Sequence, residues 1–494
     1  MCKINSLFVV AVIILLFYSV GFSSVEIIDY QNIASQTTVK YPSMKIDSSN
    51  NIHIVYYDLQ NEELNYATNS SGNWLSEVVD KKCLYPSIVL DSMGNVHISY
   101  FDSARANLKY ATKNFESNWE KITIDSSEYV GKYSSIAVDS KDNIHISYYD
   151  SINVKLKYAS NKSGNWTVES VGIGGMHTTI AIDGQDTVHI SYQSTATATN
   201  GTIYHTVNYA KYSNNEWSHE IVTLSIGVSD ISLAVDSQNY VHLIYCIEVS
   251  SNWGINSYLL FHSTNSSGKW EDEHIASNTQ LSSMYIDSSD KIHVAYSECY
   301  KWVGAAGSMF CTKSVPVYAN NITGSWQNET FSIADETLQI KSISIDNDSN
   351  NKPYCYYTLG DDSIVCSSSP YDGDWNGKTN QGHEINFKVQ GECIYDFNIK
   401  TEVSSEQCAL TATTNIPMSS SISVKDFIVS GNSGYYTGHF NNSTNSYGSW
   451  AYSSNKCGYG SGTWEASKKI KGDYNNNGKV DISDVMAVMK EISK

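Results

Sequence analysis

The residue pattern with the most specific chemistry lies near the C-terminus, in the segment GDYNNNGKVDISDVMAVMKEIS, residues 472–493. Counted from Asp473, oxygen-bearing side chains occupy positions 1, 3, 5, 9 and 12, a glycine stands at position 6, and position 7 offers its backbone carbonyl. Ca²⁺ takes six to eight hard oxygen ligands, and this spacing supplies them around a sharp turn. The predicted calcium ligands are Asp473, Asn475, Asn477, Lys479, Asp481 and Asp484.

An apolar helical face follows this loop, because Val485, Val488, Met489 and Ile492 recur at helical spacing. With an aspartate at the last ligand position, the EF-hand-like loop and helix resemble one repeat of a dockerin domain. The resemblance covers residues 472–493 and one loop, where a dockerin normally has two. It implies Ca²⁺ as the cofactor and a cohesin-type scaffold as a partner. The alternative is a solitary calcium clip that closes the C-terminus.

A second group of candidate residues lies in three insertions, at residues 193–206, 246–258 and 297–314. Aromatic residues stand there beside Asn, Ser and Thr, a composition that favours a platform for a sugar ring or a protein surface. The alternative is that the rings only pack the insertions themselves. The candidate ligand-binding residues are Trp253, Tyr258, Tyr300 and Trp302.

Catalysis has two weak candidates, Glu248 and Glu298, which stand at matching places in two neighbouring insertions. A pair of carboxylates is what a glycosidase requires, although solvated loop charges explain both residues equally well. A sialidase-like site is excluded, because it needs several arginines and Arg105 is the only arginine of the chain. The sequence therefore favours a binding protein over an enzyme, with a glycoside hydrolase as the alternative.

The insertions interrupt a repeat that positions all of these residues. Seven copies are anchored by aspartates at intervals of 44 to 59 residues, and each copy divides into four strand-length segments, as in residues 135–166. This period and strand count predict a seven-bladed β-propeller. Residues 25–30 resemble the outer strand of a blade and are predicted to complete the last one. The anchoring aspartates, interpreted as turn formers, are Asp47, Asp91, Asp139, Asp183, Asp236, Asp287 and Asp346.

Two further residue types recur once per copy. Six histidines share one position of the second strand, and because that strand is not nearest the axis, we expect hydrogen-bonded core residues rather than a metal site. The recurring tryptophans are interpreted as anchors that pack the blades. The histidines are His53, His97, His145, His189, His242 and His293. The tryptophans are Trp74, Trp119, Trp166, Trp217, Trp270, Trp326 and Trp375.

Composition and charge agree with an all-β chain. The 494 residues include 36 Tyr and only 6 Pro, and no helical period appears between the repeats. The net charge of −19, with no basic stripe, argues against nucleic acid or an anionic membrane as a partner. We predict a signal peptide (1–24), a propeller (25–379), a small β-sandwich-like module (380–468) and the dockerin-like calcium repeat (469–494).

The N-terminus predicts export. A lysine, an apolar run over residues 7–17 and small residues after it have the order of a cleavable secretory signal, which leaves no membrane span. The alternative is an uncleaved anchor. Three cysteine pairs have hairpin spacing and could close as disulfides outside the cell, Cys299–Cys311, Cys355–Cys366 and Cys393–Cys408. The spacing leaves the connectivity open, and because nine cysteines remain after signal cleavage, at least one thiol is expected to stay free or to pair elsewhere. Glycosylation sequons, many of which arise by chance in such a sequence, begin at Asn69, Asn161, Asn165, Asn200, Asn265, Asn321, Asn328, Asn347, Asn441 and Asn442.

Together these patterns predict a secreted, calcium-binding recognition or adhesion protein. One propeller face would bind a glycan or a protein, and the dockerin-like tail would attach the chain to a cohesin-type or surface scaffold. The alternative is a glycoside hydrolase or accessory component of a cellulosome-like, polysaccharide-degrading complex.

Overall fold

The computed structural model describes residues 25–29, 39–114, 118–197, 203–250, 256–305, 308–331 and 339–360, together with eight strands between residues 373 and 468. Within these ranges every regular element is a β-strand. None of the described residues forms a helix of the length and apolar character needed to cross a membrane.

Seven sheets follow one another along the chain and form the blades. A short strand, β1 (Glu26–Asp29), precedes them. Blade one consists of β2 (Val39–Ile46), β3 (Ile52–Asp58), β4 (Glu63–Thr68) and β5 (Leu75–Lys81). Blade two consists of β6 (Cys83–Leu90), β7 (Val96–Asp102), β8 (Asn107–Lys113) and β9 (Glu120–Asp125). Blade three consists of β10 (Val130–Val138), β11 (Ile144–Asp150), β12 (Lys155–Ser160) and β13 (Thr167–Ile173).

The later blades contain longer strands. Blade four consists of β14 (Met176–Ile182), β15 (Val188–Thr197), β16 (Ile203–Ser213) and β17 (Glu216–Ser225). Blade five consists of β18 (Gly227–Val235), β19 (Val241–Ser250), β20 (Asn256–Thr264) and β21 (Glu271–Ser277). Blade six consists of β22 (Thr279–Ile286), β23 (Ile292–Ala305), β24 (Ser308–Asn320) and β25 (Gln327–Thr330). Blade seven contains β26 (Gln339–Asn347) and β27 (Pro353–Gly360).

Each of blades one to six is a four-stranded antiparallel sheet in chain order, and the first strands of neighbouring blades contact one another around the axis. The predicted seven-bladed propeller is therefore confirmed. Blade seven differs, because its third strand is β1, which pairs in parallel with β27 from Glu26 opposite Tyr354 to Asp29 opposite Tyr357. The N-terminal strand thus joins the last blade, as predicted, but beside the second strand rather than as a fourth, outer strand.

The turn after each first strand is built on its aspartate. In blade three, Oδ1 of Asp139 accepts the backbone N–H groups of Lys141 and Asn143, both at 2.9 Å. In blade seven the same bonds come to Asp348 rather than to Asp346, so the seventh anchor of the repeat was placed two residues too early. Asp346 instead accepts the N–H of Ile46 in blade one at 2.9 Å.

Side-chain hydrogen bonds join these turns from blade to blade. In six of the seven turns the residue after the aspartate donates to an Asn or Asp in the next blade, which stands three residues after that blade's own aspartate, as from Ser140 to Asp186 at 2.8 Å. The acceptor residues lie in the left-handed region, which Asn and Asp tolerate better than other side chains. The bridges are Ser92–Asp142, Ser140–Asp186, Gly184–Asn239, Ser237–Asp290, Ser288–Asn351 and Ser349–Asn50.

The recurring histidines are buried and hydrogen-bonded, which confirms their interpretation as core residues. His145 is 0% exposed, its Nδ1 lies 2.5 Å from the Tyr158 hydroxyl, and its Nε2 lies 3.3 Å from Oδ2 of Asp139. Because the carboxylate accepts from Nε2–H, Nδ1 accepts from the tyrosine. The same arrangement recurs at His53, His97, His189 and His293, and at His242 with His262 in place of the tyrosine. No cluster of metal-binding side chains occurs among the described residues.

The tryptophans pack between blades, as predicted. Five of them contact the third-strand aromatic residue of the preceding blade in a tilted or edge-to-face arrangement, as Trp217 contacts Tyr158 at 5.3 Å between ring centroids. The other such pairs are Trp119–Tyr66, Trp166–Tyr110, Trp270–Tyr209 and Trp326–His262. Trp375 lies on a strand of the C-terminal sheet instead of in blade seven.

A fourth repeated contact comes from asparagines in the turn after the third strand. Oδ1 of Asn161 accepts the N–H of Ile144, the first residue of the second strand, at 2.7 Å. Asn69, Asn265 and Asn321 make the same bond in their blades. Each of these asparagines is the first residue of a glycosylation sequon. The recurrence of the asparagine in the repeat therefore has a structural cause, which is this hydrogen bond.

The C-terminal strands form one eight-stranded antiparallel sheet in the order β31, β30, β29, β28, β35, β34, β33, β32. These strands are β28 (Gly373–Thr379), β29 (Glu384–Gln390), β30 (Cys393–Glu402), β31 (Ala409–Thr414), β32 (Asp426–Gly431), β33 (Gly434–Phe440), β34 (Asn445–Ser454) and β35 (Gly458–Lys468). The sandwich-like packing of this module stays a prediction, as do the signal peptide and the calcium repeat, which lie outside the described residues.

Cysteine pairing follows the hairpin prediction in one case. Cys299 and Cys311 form a disulfide with a Cα–Cα distance of 5.8 Å. Cys355 is a buried free thiol, so its predicted bond to Cys366 is wrong. Cys408, the predicted partner of Cys393, lies outside the described residues.

Candidate ligand-binding face

Strand register defines two faces of the ring. Each first strand begins opposite the end of its second strand, as shown by the pairing of Val39 with Asp58 and of Cys83 with Asp102. The connections between second and third strands therefore lie on the same side as the beginnings of the first strands. We call this side the connection face, and the side with the aspartate turns the turn face.

The three predicted insertions extend hairpins of three adjacent blades on the connection face. The β15–β16, β19–β20 and β23–β24 ladders continue beyond the length found in blades one to three. The Cys299–Cys311 disulfide links the two strands of the longest hairpin. These hairpins border the connection face along blades four to six.

The predicted platform residues are only partly described. Tyr300 is 49% exposed. Tyr258 is half-buried, and burial together with nearby Glu248 raises the pKa of its hydroxyl to about 12. The backbone of Trp302 lies opposite Cys311 on the longest hairpin, and Trp253 lies outside the described residues. Tyr258 and Tyr300 are thus placed on neighbouring hairpins, and their role in binding stays a prediction.

The two candidate catalytic glutamates do not occupy equivalent positions. Glu298 follows His293 by five residues and Glu248 follows His242 by six, along ladders that are continuous over these stretches. Because side chains alternate along a strand, the two carboxylates point to opposite faces of their sheets. Glu248 covers Gly227, where an added Cβ would lie 2.5 Å from its Oε2. Glu248 thus lies on the side of blade five that packs on blade six, as Cys246 does, and Glu298 lies on the side of blade six that packs on blade five, as Tyr296 does. A catalytic role for the two residues stays a prediction.

The structure reveals a different cluster at the ring axis. Every first strand contains a register shift, six residues before its turn aspartate. In five consecutive blades the residue at this shift has left-handed φ, a strained conformation for side chains other than glycine that clusters at functional sites. These residues are Tyr41, Tyr85, Tyr133, His177 and Asp230, with φ between 44° and 54°. They line one cavity of about 210 Å³.

Four of these side chains form a continuous aromatic row. Ring centroids are 4.7 Å apart from Tyr41 to Tyr85, from Tyr85 to Tyr133 and from Tyr133 to His177. The corresponding residues in blades six and seven are Leu281 and Ser342. The register shift thus belongs to all seven copies, but the side chains differ, so an aromatic row runs along blades one to four and a carboxyl group follows in blade five.

Asp230 supplies the charge of this cavity. The residue keeps some exposed surface, while its carboxyl lies deep among protein atoms, and this burial raises the pKa of Asp230 to about 7. The N–H of Ser282 in blade six donates to its Oδ2 at 3.1 Å and acts in the opposite direction. Near neutral pH the carboxyl therefore exchanges between an acceptor and a donor of hydrogen bonds.

The axial cluster was not found from the sequence, although a signal for it existed. Aligning the seven copies on their turn aspartates puts Tyr, Tyr, Tyr, His, Asp, Leu and Ser in one column. That column varies in chemistry within a repeat that is otherwise regular, which is typical of a functional position.

Fold and site together define a seven-bladed β-propeller with an aromatic axial cavity. It is similar in fold to a mutant of AofleA from Arthrobotrys oligospora, at 11% identity and a TM-score of 0.40, covering 60% of this chain and 88% of that one. It is also similar to an Aleuria aurantia lectin bound to α-methyl-L-fucoside, at 14% identity and a TM-score of 0.39, covering 61% and 100%. A Penicillium chrysogenum α-L-arabinanase bound to arabinobiose matches at 7% identity and a TM-score of 0.38, covering 68% and 97%.

At these identities and TM-scores the similarities carry no conclusion about activity, and the fold assignment rests on the strand pairing of the chain itself. No protein-family model matches the chain, and no curated protein matches it.

Proposed function

We propose that the propeller is a carbohydrate-recognition domain whose ligand enters the axial cavity from the connection face. The observation that carries this proposal is the row of Tyr41, Tyr85, Tyr133 and His177 rings at 4.7 Å spacing. A sugar ring has an apolar C–H face and a polar rim, which match an aromatic surface bordered by a few hydrogen-bonding groups. His177 at the end of the row and Asp230 in the next blade provide such groups.

Binding without cleavage fits the site better than hydrolysis. Glycoside hydrolysis ordinarily requires two carboxyl groups on either side of the scissile bond. Among the described residues that line the axial cavity, Asp230 is the only one with a carboxyl group. Glu248 and Glu298 are not among the residues that line this cavity.

Replacing Tyr85 with alanine is expected to weaken glycan binding at least tenfold, because it removes the central ring of the row. The measurement is calorimetry on the full chain with an oligosaccharide selected on a glycan array. Tyr240→Ala is the matched control, since this exposed tyrosine lies in a turn on the opposite face. Unchanged affinity in Tyr85→Ala would remove the axial cavity from the proposal, and release of reducing ends would favour the hydrolase alternative.

The second part of the proposed function is attachment outside the cell through the calcium repeat. The spacing of oxygen ligands in residues 473–484 and the apolar helical face behind them support it. The signal-like N-terminus supports export. With this tail, the propeller would be held by a cohesin-type or surface scaffold while its connection face binds glycan.

Full-length protein is expected to bind Ca²⁺ through this repeat with a Kd of about 10⁻⁴ M or somewhat tighter, since two of the side-chain ligands are neutral asparagines. Asp473→Ala should abolish the calorimetric signal, because it removes an anionic ligand. Lys479→Ala should leave it unchanged, because only the backbone carbonyl of that residue coordinates. A chain that shows no calcium heat, or an equal effect of both substitutions, would contradict this assignment.

A further inference from the structure

A second cavity lies far from the axis, between blades one and two on the turn face. Its volume is about 440 Å³, within the range of small-molecule sites. Blade one contributes the end of its third strand and the start of its outer strand, and blade two contributes its first turn and the end of its third strand. The lining residues are Tyr66, Thr68, Ser70, Leu75, Ser76, Glu77, Gly94, Val96, Lys113 and Asn114.

Three of these residues depart from the repeat. Gly94 stands where six other blades have the Asn or Asp that bridges to the preceding turn. Lys113 replaces the asparagine that caps the second strand in four blades. Leu75, 60% exposed, stands where blades two to six have Glu, Thr, Ser, Glu and Gln. These three departures lie at separate points of the sequence, yet they meet at one joint of the ring, by which we mean the interface between two neighbouring blades.

The charges at this joint are also rearranged. In two other joints the glutamate equivalent to Glu77 accepts a hydrogen bond from the neighbouring tryptophan, as Glu169 does from Trp217 at 3.1 Å. Here Glu77 forms an ion pair with Lys113 across the joint instead. Nε1 of Trp119, which stacks on Tyr66, is buried without a hydrogen-bond partner. The joint has therefore lost a structural bond and acquired a charged pair that lines a cavity.

From these departures we infer that the cavity between blades one and two is a second ligand site, for a neutral polyhydroxylated ring of monosaccharide size. Glu77 and Lys113 together carry no net charge, which favours a neutral ligand that both donates and accepts hydrogen bonds. The hydroxyls of Thr68 and Ser70 extend this polar side. Exposed Leu75 offers an apolar surface to a sugar C–H face.

The repeat itself supplies the test. The double substitution Gly94→Asn, Lys113→Asn restores the residues that other blades use, so it should close the joint while keeping the fold. Leu75→Thr introduces the residue found in blade three and changes only an exposed position. Lys141→Asn, an exposed lysine in the turn of blade three, is the matched control.

The full chain carrying Tyr85→Ala, in which the axial cavity is disabled, is titrated by calorimetry with glucose, galactose, mannose and xylose. We expect at least one of them to bind with a Kd in the millimolar range. In that background the double substitution should weaken binding at least tenfold with an unchanged or higher melting temperature. Leu75→Thr should weaken it several-fold, and Lys141→Asn should leave it unchanged.

The inference is overturned if none of the four sugars binds, if binding survives the double substitution, or if Lys141→Asn weakens binding equally. If the double variant unfolds, the test rests on Leu75→Thr alone. Full sugar affinity in that variant then overturns the inference. Because the axial cavity is disabled throughout, these outcomes are independent of the proposed axial site.

Discussion

Lowering the pH from 7 to 5 is expected to destabilise the propeller steeply. Burial lowers the pKa of six recurring histidines and outweighs the neighbouring aspartates, which act in the opposite direction. A histidine whose pKa is lower in the folded state stays neutral there while the unfolded chain takes up a proton. Stability is therefore complete above the unfolded-state pKa of about 6.5 and is lost as the pH falls below it.

The size of this effect comes from the number of histidines in one ring. Each proton taken up on unfolding lowers the free energy of unfolding by about 1.4 kcal/mol per pH unit, and the contributions of several sites add. The partner aspartates act in a lower window. Burial alone would raise the pKa of Asp139, but hydrogen bonds from Asn143, Lys141 and His145 lower it to about 2. Its contribution is present above about pH 4 and is lost on further acidification.

Urea unfolding of the full chain at pH 7.5, 6.5, 5.5 and 5.0, followed by tyrosine and tryptophan fluorescence, measures this dependence. His145→Gln should lower stability at pH 7.5 and reduce the slope. His274→Gln, at an exposed position in an outer strand, is the control and should leave the slope unchanged. A flat profile between pH 7.5 and 5 would show that the buried histidines do not titrate as argued.

Ile28→Asp is expected to destabilise the ring by about 4 kcal/mol or more, because it places a charge in an apolar core. Ile28 is 7% exposed and belongs to a core cluster with Ile54, Tyr56 and Tyr356, so it joins blade seven to blade one. Deletion of β1 should have a similar effect, since blade seven would keep only β26 and β27.

Thermal unfolding and limited proteolysis of the full chain measure this closure. Glu26→Gln is the control on the same strand, because Glu26 is exposed and its ion pair with Lys352 is worth less than about 1 kcal/mol. A melting temperature for Ile28→Asp equal to that of the control would mean that β1 does not hold the ring together.

The repeat determined most of the fold in advance because one blade is a local pattern. The features of one blade can be counted along the chain: the strand lengths, the turn aspartate, the core histidine and the tryptophan. The number of copies then predicts the number of blades in the ring. One error arose where an offset of two residues matters. Asp346 and Asp348 are both aspartates near the end of a strand, and only the hydrogen bonds of the turn show that Asp348 is the anchor.

The candidate sites were harder to predict than the fold, because both depend on contacts between blades. The axial row joins Tyr41, Tyr85 and Tyr133, which are more than 40 residues apart from one to the next. The direction of strand β1 was equally unpredictable, since a four-residue strand in which Ile28 is the buried residue pairs in either direction. The candidate binding residues were chosen because they lie outside the repeat. They therefore do not include the residues of the axial cavity, which the repeat itself forms.

The parallel pairing of β1 with β27 also fixes where attached segments leave the propeller. The chain enters blade seven beside Tyr354, at the turn face, and departs at Gly360, at the connection face. These two points are separated by the length of a strand, roughly 20 Å for about six residues. A reporter fused ahead of β1 would therefore sit on the side away from the axial row, at the same sector of the rim where the downstream modules begin. Immobilising the protein through such a fusion leaves the connection face turned toward solution, and coupling it through residues after Gly360 does not.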